Sequence, residues 1–172
     1  SLGDDIIDGK GGGDVIYGGD GSDKFTFSVL SDQIDVVMDF VSGANGDVIS
    51  FTKSSLNLSG TGVQEISTLV GGQKSIDDTT GAIIVTDPVG FSSEISLKTA
   101  LSGVNGITTN GESLGGLICV WWKSSEQAAV VSIITDQTPQ NLTLDQINTL
   151  ATLSNLTVSA YSDITEANIE IA

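Results

Sequence analysis

The sequence lacks several of the residues from which catalytic and metal sites are most often built. There is no histidine among its 172 residues, which excludes catalysis that depends on an imidazole. The only cysteine is Cys119, so no intrachain disulfide can form and a zinc site of several thiolates is excluded. Its neighbours are apolar and include Trp121 and Trp122, so we expect a buried and unreactive thiol.

Positive charge is also scarce. The chain has 6 basic and 22 acidic residues, which gives a formal net charge of -16 at pH 7. Nucleic acid is therefore not expected as a partner, because phosphate binding needs a basic patch. Residues 1–51 hold ten of the acidic residues, and so many carboxylates repel one another unless a cation neutralises them. No apolar run reaches the length of a transmembrane helix, and no N-terminal signal peptide is visible.

The first part of the chain contains a repeat of nine residues. Glycines crowd the positions ahead of three aspartates that lie nine residues apart, and a large apolar residue follows each aspartate two places later. The aspartates are Asp5, Asp14 and Asp23, and the apolar residues are Ile7, Ile16 and Phe25. The second repeat has Lys10 where its second glycine belongs, whereas the third fits fully. The first repeat is cut by the start of the chain, which predicts that the chain is a fragment of a longer protein.

Calcium binding explains this period physically. Glycine adopts positive φ at little steric cost, and its bare backbone lets carbonyl oxygens approach a cation closely. Calcium takes six to eight oxygen ligands at roughly 2.3–2.6 Å. Turn carbonyls can supply several of these ligands, and an aspartate carboxylate completes the shell and neutralises charge. We therefore predict that the metal ligands of the repeats are the three aspartates Asp5, Asp14 and Asp23 with the carbonyl groups of Gly9, Gly11, Gly18, Gly19 and Gly21.

A closing segment follows the repeats. Two short apolar stretches, Ile34 to Phe40 and Val48 to Phe51, flank a glycine turn. Asp39 is placed to reach the last turn of the repeats as a further metal ligand, and Asp47 is a weaker candidate. The alternative for both is a solvated carboxylate. We expect Asp5 to pair with Asp23, and Asp14 to pair with the closing segment near Asp39.

The repeats and the closing segment together resemble the RTX family, the haemolysin-type calcium-binding repeat proteins that are exported by type I secretion. The resemblance covers residues 1–51, which is under a third of the chain. It implies a mainly β fold with a parallel β-roll, in which two nonapeptides make one coil, and it implies calcium as the cofactor. It implies no activity, because such rolls occur in toxins, proteases, lipases, adhesins and surface-layer proteins.

Residues 52–172 are predicted to form a second, β-rich domain with two or three short helices. The two strongest strand patterns are Gly115 to Ser124 and Ala128 to Asp136. Ala82 to Thr86 is also predicted as a buried strand, while Val63 to Val70 fits either a strand or a helix. Capping patterns and apolar spacing predict helices over Phe91 to Leu101 and Thr143 to Leu153. Trp121 and Trp122 face opposite sides of their strand, so we expect one in the core and one partly exposed. The apolar C-terminal end, which is poor in basic residues, resembles an uncleaved type I secretion signal.

The sequence therefore favours a non-enzymatic calcium-binding module of a secreted bacterial cell-surface protein, of the surface-layer or adhesin type. Such a module would fold on calcium after export. Its expected partners are calcium ions, the type I secretion machinery and further copies in a surface assembly. The alternative is the C-terminal folding and secretion tail of a secreted RTX enzyme, such as a protease or lipase, or of a toxin. Either reading places the chain outside the cell or at its surface.

Overall fold

The computed structural model describes residues 2–28, 33–68, 74–102, 106–109, 115–136 and 144–172, and the chain is mainly β over these ranges. The strands are β1 (Ile6–Asp8), β2 (Val15–Ile16), β3 (Lys24–Phe27), β4 (Asp35–Val37), β5 (Val48–Phe51), β6 (Gly62–Ile66), β7 (Lys74–Ile76), β8 (Thr80–Val85), β9 (Ile107–Thr109), β10 (Leu117–Lys123), β11 (Ala128–Asp136), β12 (Leu144–Leu153) and β13 (Ile169–Ile171). The helices are α1 (Lys53–Leu56), α2 (Glu94–Leu101) and α3 (Val158–Tyr161), with a 3-10 turn at Glu166–Asn168.

The first five strands alternate between two sheets. β1, β3 and β5 are parallel neighbours in a four-stranded sheet of order β1-β3-β5-β13, whereas β2 and β4 are parallel neighbours at one end of a seven-stranded sheet. The apolar residues of the repeats stack in register, with Ile7 opposite Phe25 and Ile16 opposite Val37. Phe25 is fully buried and Ile16 nearly so. The apolar position of each repeat thus forms the core between the two sheets.

The seven-stranded sheet continues from the repeats into the rest of the chain. Its order is β2-β4-β12-β11-β10-β8-β6, and β12 lies parallel to β4. One apolar cluster includes Phe25 and Phe51 from the first segment together with Ile84 and Val120 from the second. The predicted boundary at residue 51 therefore falls between β5 and α1, inside a structure whose sheet and core are shared by both segments.

Both tryptophans of β10 are buried, so the prediction that one of them is partly exposed was wrong. Trp121 is in the cluster that includes Leu97 and Leu101 of α2, and Trp122 is in the cluster that includes Tyr161 of α3. The reason is that β10 lies in the interior of the sheet, between β8 and β11, where both faces are covered. Successive side chains of a strand point to opposite faces of the sheet, so the two rings lie on different faces. Each face of β10 is covered by one of the two apolar clusters, so both rings are buried.

The predicted helix over Thr143 to Leu153 was also wrong, because Leu144–Leu153 forms strand β12. It pairs antiparallel with β11 and parallel with β4, and Thr143 lies outside the described residues. The pairing shifts register so that Val131 opposes Ala151 while Ser132 opposes Thr149. Leu150 is thus an extra residue in a β-bulge, which breaks the two-residue alternation. Ile147 packs on one apolar cluster and Leu150 and Leu153 lie in the other, so the spacing of three imitates a helical period although the residues do not share one face.

Other predicted elements are confirmed. Strands β8, β10 and β11 lie where the sequence placed them, and helix α2 begins after Ser93, whose side chain accepts the Ser96 N–H as an N-cap. The undecided segment from Val63 begins as strand β6, and its last two residues lie outside the described ranges. Cys119 is fully buried, and burial raises the pKa of its thiol, as expected for an unreactive cysteine.

Candidate metal centre

The aspartates of the repeats lie in two rows at the beginnings of parallel strands. One row consists of Asp5, Asp23 and Asp47, which immediately precede β1, β3 and β5. The other consists of Asp14, which precedes β2, and Asp35, which opens β4. Since the strands within each sheet are parallel and in register, the carboxylates of each row follow one another along the same edge. The nine-residue spacing therefore produces two lines of negative charge.

Hydrogen bonds from backbone to side chain connect the members of each row. Oδ1 of Asp23 accepts the N–H of Asp5 at 2.9 Å, and Oδ1 of Asp47 accepts the N–H of Asp23 at 2.8 Å. In the second row, Oδ1 of Asp35 accepts the N–H of Asp14 at 2.9 Å. Each of these carboxylates thus holds the backbone from which the side chain of the preceding aspartate of its row projects.

Among the described residues, two buried carboxylate oxygens are left without a hydrogen-bond partner. Oδ2 of Asp14 and Oδ2 of Asp23 are both buried and accept no hydrogen bond, and the Asp23 side chain as a whole is only 1% exposed. A buried carboxylate oxygen without a donor is costly. A cation beside each oxygen would remove that cost, so these two atoms mark the places where the structure needs positive charge.

Glycine makes room for both carboxylates. A Cβ added at Gly18 would lie 2.2 Å from Oδ2 of Asp23, and one added at Gly9 would lie 2.9 Å from Oδ2 of Asp14. Both contacts are closer than real Cβ atoms tolerate. Each carboxylate is therefore seated against the bare backbone of the first glycine of its own repeat, where peptide oxygens can approach the same ion.

The donor set fits calcium. The side chains named above offer only oxygen, which calcium prefers, and neither row contains a nitrogen or sulfur ligand. No group of three or more His, Cys, Asp or Glu side chains that could hold a metal ion occurs among the described residues. A bound ion would therefore need backbone carbonyls to complete its shell, and the glycine-rich turns are the segments that can provide them.

The remaining sequence-predicted residues lie in or near these turns. Asp39 reaches the last turn of the repeats, where its Oδ1 and Oδ2 accept the N–H groups of Gly18 and Gly19 at 2.9 and 3.0 Å. Gly21, with φ of 140°, packs on the first turn, since a Cβ there would lie 2.5 Å from the Gly3 carbonyl oxygen. Gly11 is exposed, and a Cβ there would meet no atom within 4 Å.

The structure brings Asp5 to Asp23, and it brings Asp14 to Asp35, which lies four residues before Asp39 in the closing segment. Asp35 was not among the predicted ligands, and Asp47 was only a weaker candidate. Both match part of the repeat motif, because each aspartate is followed two places later by an apolar residue, Val37 or Ile49. Asp35 lies twelve residues after Asp23, and Asp47 lies twelve residues after Asp35, so a search at a period of nine does not find them.

Burial raises the pKa of the Asp47 carboxyl, and the nearby Asp23 and Asp39 carboxylates raise it further, against the opposing effect of N–H groups from Asp23 and Val41. Burial likewise raises the pKa of the Asp35 carboxyl, which faces the charge of Asp14. A cation in either row would lower these pKa values, because it favours the charged form. Burial and the neighbouring carboxylates thus oppose the ionisation of Asp35 and Asp47, which a cation would favour.

Residues 111–115 match the G-x-S-x-G motif, which is associated with serine hydrolases. A serine in such an elbow takes its base from a histidine, which this sequence does not contain. Residues 111–114 lie outside the described ranges.

Comparison of the chain with protein-family models, with curated proteins and with solved structures found no match. The resemblance to the RTX family therefore stays a prediction that rests on the residues of the repeats. Among the described residues, no helix is long and apolar enough to cross a membrane.

Proposed function

We propose that the chain is a non-enzymatic calcium-binding structural module of a secreted bacterial cell-surface protein, and that residues 1–51 form a calcium β-roll of the RTX type. The observation that carries this proposal is the pair of buried, unpartnered Oδ2 atoms of Asp14 and Asp23, each seated against a glycine. The alternation of short parallel strands between two sheets supports the β-roll.

Asp14 and Asp23 would each hold a calcium ion, together with carbonyl groups of the glycine turns. When bound, calcium supplies the positive charge that the two rows of carboxylates lack. In its absence the carboxylates repel one another and two of their oxygens are buried without partners, so the folded state is disfavoured. The chain then stays unfolded inside the cell, where free calcium is low, which suits export as an unfolded chain. Outside, the free energy of binding becomes free energy of folding.

Assembly at the cell surface is supported by the outer edge of the repeats. β1 and β2 are the end strands of their sheets, and four large apolar side chains on or beside them are exposed. They are Leu2, Ile6, Val15 and Tyr17. An edge strand offers unpaired backbone groups to another chain, and exposed apolar residues favour its association. We propose that this edge accepts a further β strand, either from a repeat that precedes residue 1 or from a second copy of the module.

A calcium titration followed by circular dichroism and sedimentation on the same samples tests the proposal. We expect β structure to form as calcium is added, followed by large assemblies. Structure without assembly would favour the second candidate, a folding and secretion tail of a larger RTX enzyme or toxin. A chelator that changes neither structure nor assembly would contradict the calcium β-roll.

Replacing Asp23 by alanine tests the ligand assignment. The variant loses the unpartnered oxygen and the acceptor for the Asp5 N–H, so we expect folding to require more calcium. Asp78→Ala is the matched control, because Asp78 is exposed in a turn and its loss changes the net charge equally. If both variants fold at the same calcium concentration as the unaltered chain, the assignment of Asp23 is wrong.

A further inference from the structure

Asn168 is a fully buried amide close to the C-terminus, and all four of its hydrogen-bonding positions are used. Its Oδ1 accepts the N–H of Gly43 at 3.2 Å and the N–H of Thr165 at 3.1 Å. Its Nδ2 donates to the carbonyl of Gly43 and to the carbonyl of Asp47, both at 2.9 Å. The amide therefore holds both backbone groups of Gly43 and one of Asp47.

The turn that Asn168 holds is the one that positions the end of the first carboxylate row. Within the turn, Oδ2 of Asp47 accepts the N–H of Val41 at 2.8 Å, and the Asp47 N–H donates to the Val41 carbonyl at 2.7 Å. From the turn, Oδ1 of Asp47 accepts the N–H of Asp23 at 2.8 Å. A continuous set of hydrogen bonds thus runs from Asn168 through Asp47 to the aspartate whose Oδ2 is buried without a partner.

The segment that carries Asn168 is held against the repeats by strand pairing and by an ion pair. β13 pairs parallel with β5, and Nζ of Lys24, next to Asp23, donates to the Glu170 carboxylate at 2.8 Å. The N–H of Ala172 donates to the Phe51 carbonyl at 2.9 Å. The C-terminal strand is therefore the neighbour of the repeats, although more than a hundred residues separate them in sequence.

We propose that Asn168 is a positioning residue of the cation site, which acts through the 41–47 turn and Asp47 to aim the carboxylate of Asp23. This inference rests on the proposed calcium function. It makes calcium affinity depend on an amide that lies four residues before Ala172, the last described residue. Residues that hydrogen-bond to the ligands of a metal site orient those ligands, and their removal commonly weakens metal affinity by about 10- to 100-fold. We expect an effect at the lower end of that range, because Asn168 reaches Asp23 through Asp47.

The test compares Asn168→Ala with a variant that is destabilised elsewhere. Val130→Ala is that control, because Val130 is buried in the second apolar cluster, which contains no residue of the repeats. The full chain is unfolded in urea at several calcium concentrations, and the rise of the unfolding midpoint with calcium is measured for each protein. A ligand that binds only the folded state adds stability according to its own dissociation constant.

We expect both variants to have lower urea midpoints than the unaltered chain. Only in Asn168→Ala should the midpoint rise less as calcium is added, corresponding to a calcium affinity about tenfold weaker. A full gain in Asn168→Ala would overturn the proposal, since Asn168 would then contribute only to general stability. If Asn168→Ala does not fold, Asn168→Asp retains the acceptor for Gly43 and Thr165 but loses both donated bonds, and the same smaller gain is expected. If the unaltered chain itself gains nothing from calcium, the proposed function fails, and this outcome is distinct from a full gain in the variant.

Discussion

Replacing Gly18 by alanine tests whether the Asp23 carboxylate is seated against bare backbone. A Cβ at Gly18 would lie 2.2 Å from Oδ2 and 2.8 Å from Cγ of Asp23. Asp23 has little freedom to move away, because its side chain is 1% exposed and its Oδ1 is bonded to the Asp5 N–H. The φ angle of Gly18 lies outside the left-handed region, so the effect of the substitution comes from the contact and not from backbone strain.

Gly11 provides the matched control. It is another glycine of the same repeats, its φ is also outside the left-handed region, and a Cβ there would meet no atom within 4 Å. We expect Gly11→Ala to stabilise the protein by about 0.4–1 kcal/mol, because alanine restricts the unfolded chain. Gly18→Ala forces extra atoms into a packed site and should destabilise it by about 1–3 kcal/mol. The two variants should therefore differ by roughly 1.4–4 kcal/mol.

Urea unfolding at saturating calcium measures this difference, provided that the dependence on urea is the same for both variants. Gly18→Ala should also need more calcium to fold, because relief of the contact displaces the Asp23 carboxylate. Equal free energies of unfolding, or a larger loss in Gly11→Ala, would show that Gly18 does not seat this carboxylate.

Three further predictions concern other parts of the molecule. Asp35→Asn keeps an acceptor for the neighbouring backbone but removes a buried charge, so we expect a smaller rise of the urea midpoint with calcium than in the unaltered chain. A hydrogen bond from Lys123 holds the pKa of the Glu94 carboxyl below its usual range. The Glu94 carboxylate therefore adds to the free energy of unfolding at pH values above its ordinary pKa, and this stabilisation is lost as pH falls through the lowered value. Glu94→Gln should therefore cost about 0.2–1 kcal/mol at neutral pH, and urea unfolding over a pH series should show this difference vanish in acid. Ser132→Ala should cost about 1–3 kcal/mol, because the buried Nε1–H of Trp121 loses its acceptor, and a double-mutant cycle with Trp121→Phe should show a coupling between the two residues.

The sequence predicted those features of the fold that depend on local pattern. The nine-residue period places Phe25 and Ile16 in the core because glycine turns of fixed length return the chain to the same orientation. It did not predict β12, because the bulge at Leu150 is set by the pairing with β11 and leaves a helical spacing in the sequence. It also did not predict that both tryptophans are buried, because Trp122 is covered by α3 and by the core of the repeats, which are remote in sequence.

The candidate site shows the same division. Asp14 and Asp23 were predicted from the sequence because they recur with the nine-residue period. Asp35 was missed and Asp47 was only a weaker candidate, because a longer segment precedes each of them. The role of Asn168 has no sequence pattern at all, since it arises where β13 pairs with β5. Local repeats identify the candidate ligands that they contain, and only the three-dimensional structure identifies the residues that hold those candidates in position.

The most direct measurement is a crystal structure of the protein grown in calcium, with anomalous diffraction used to identify the ion. The central claim is that the buried Oδ2 atoms of Asp14 and Asp23 are cation ligands. It predicts an anomalous peak at roughly 2.3–2.6 Å from each of these two atoms, with carbonyl oxygens of the glycine turns completing the shell. Saturating calcium with no peak beside either atom would contradict the claim.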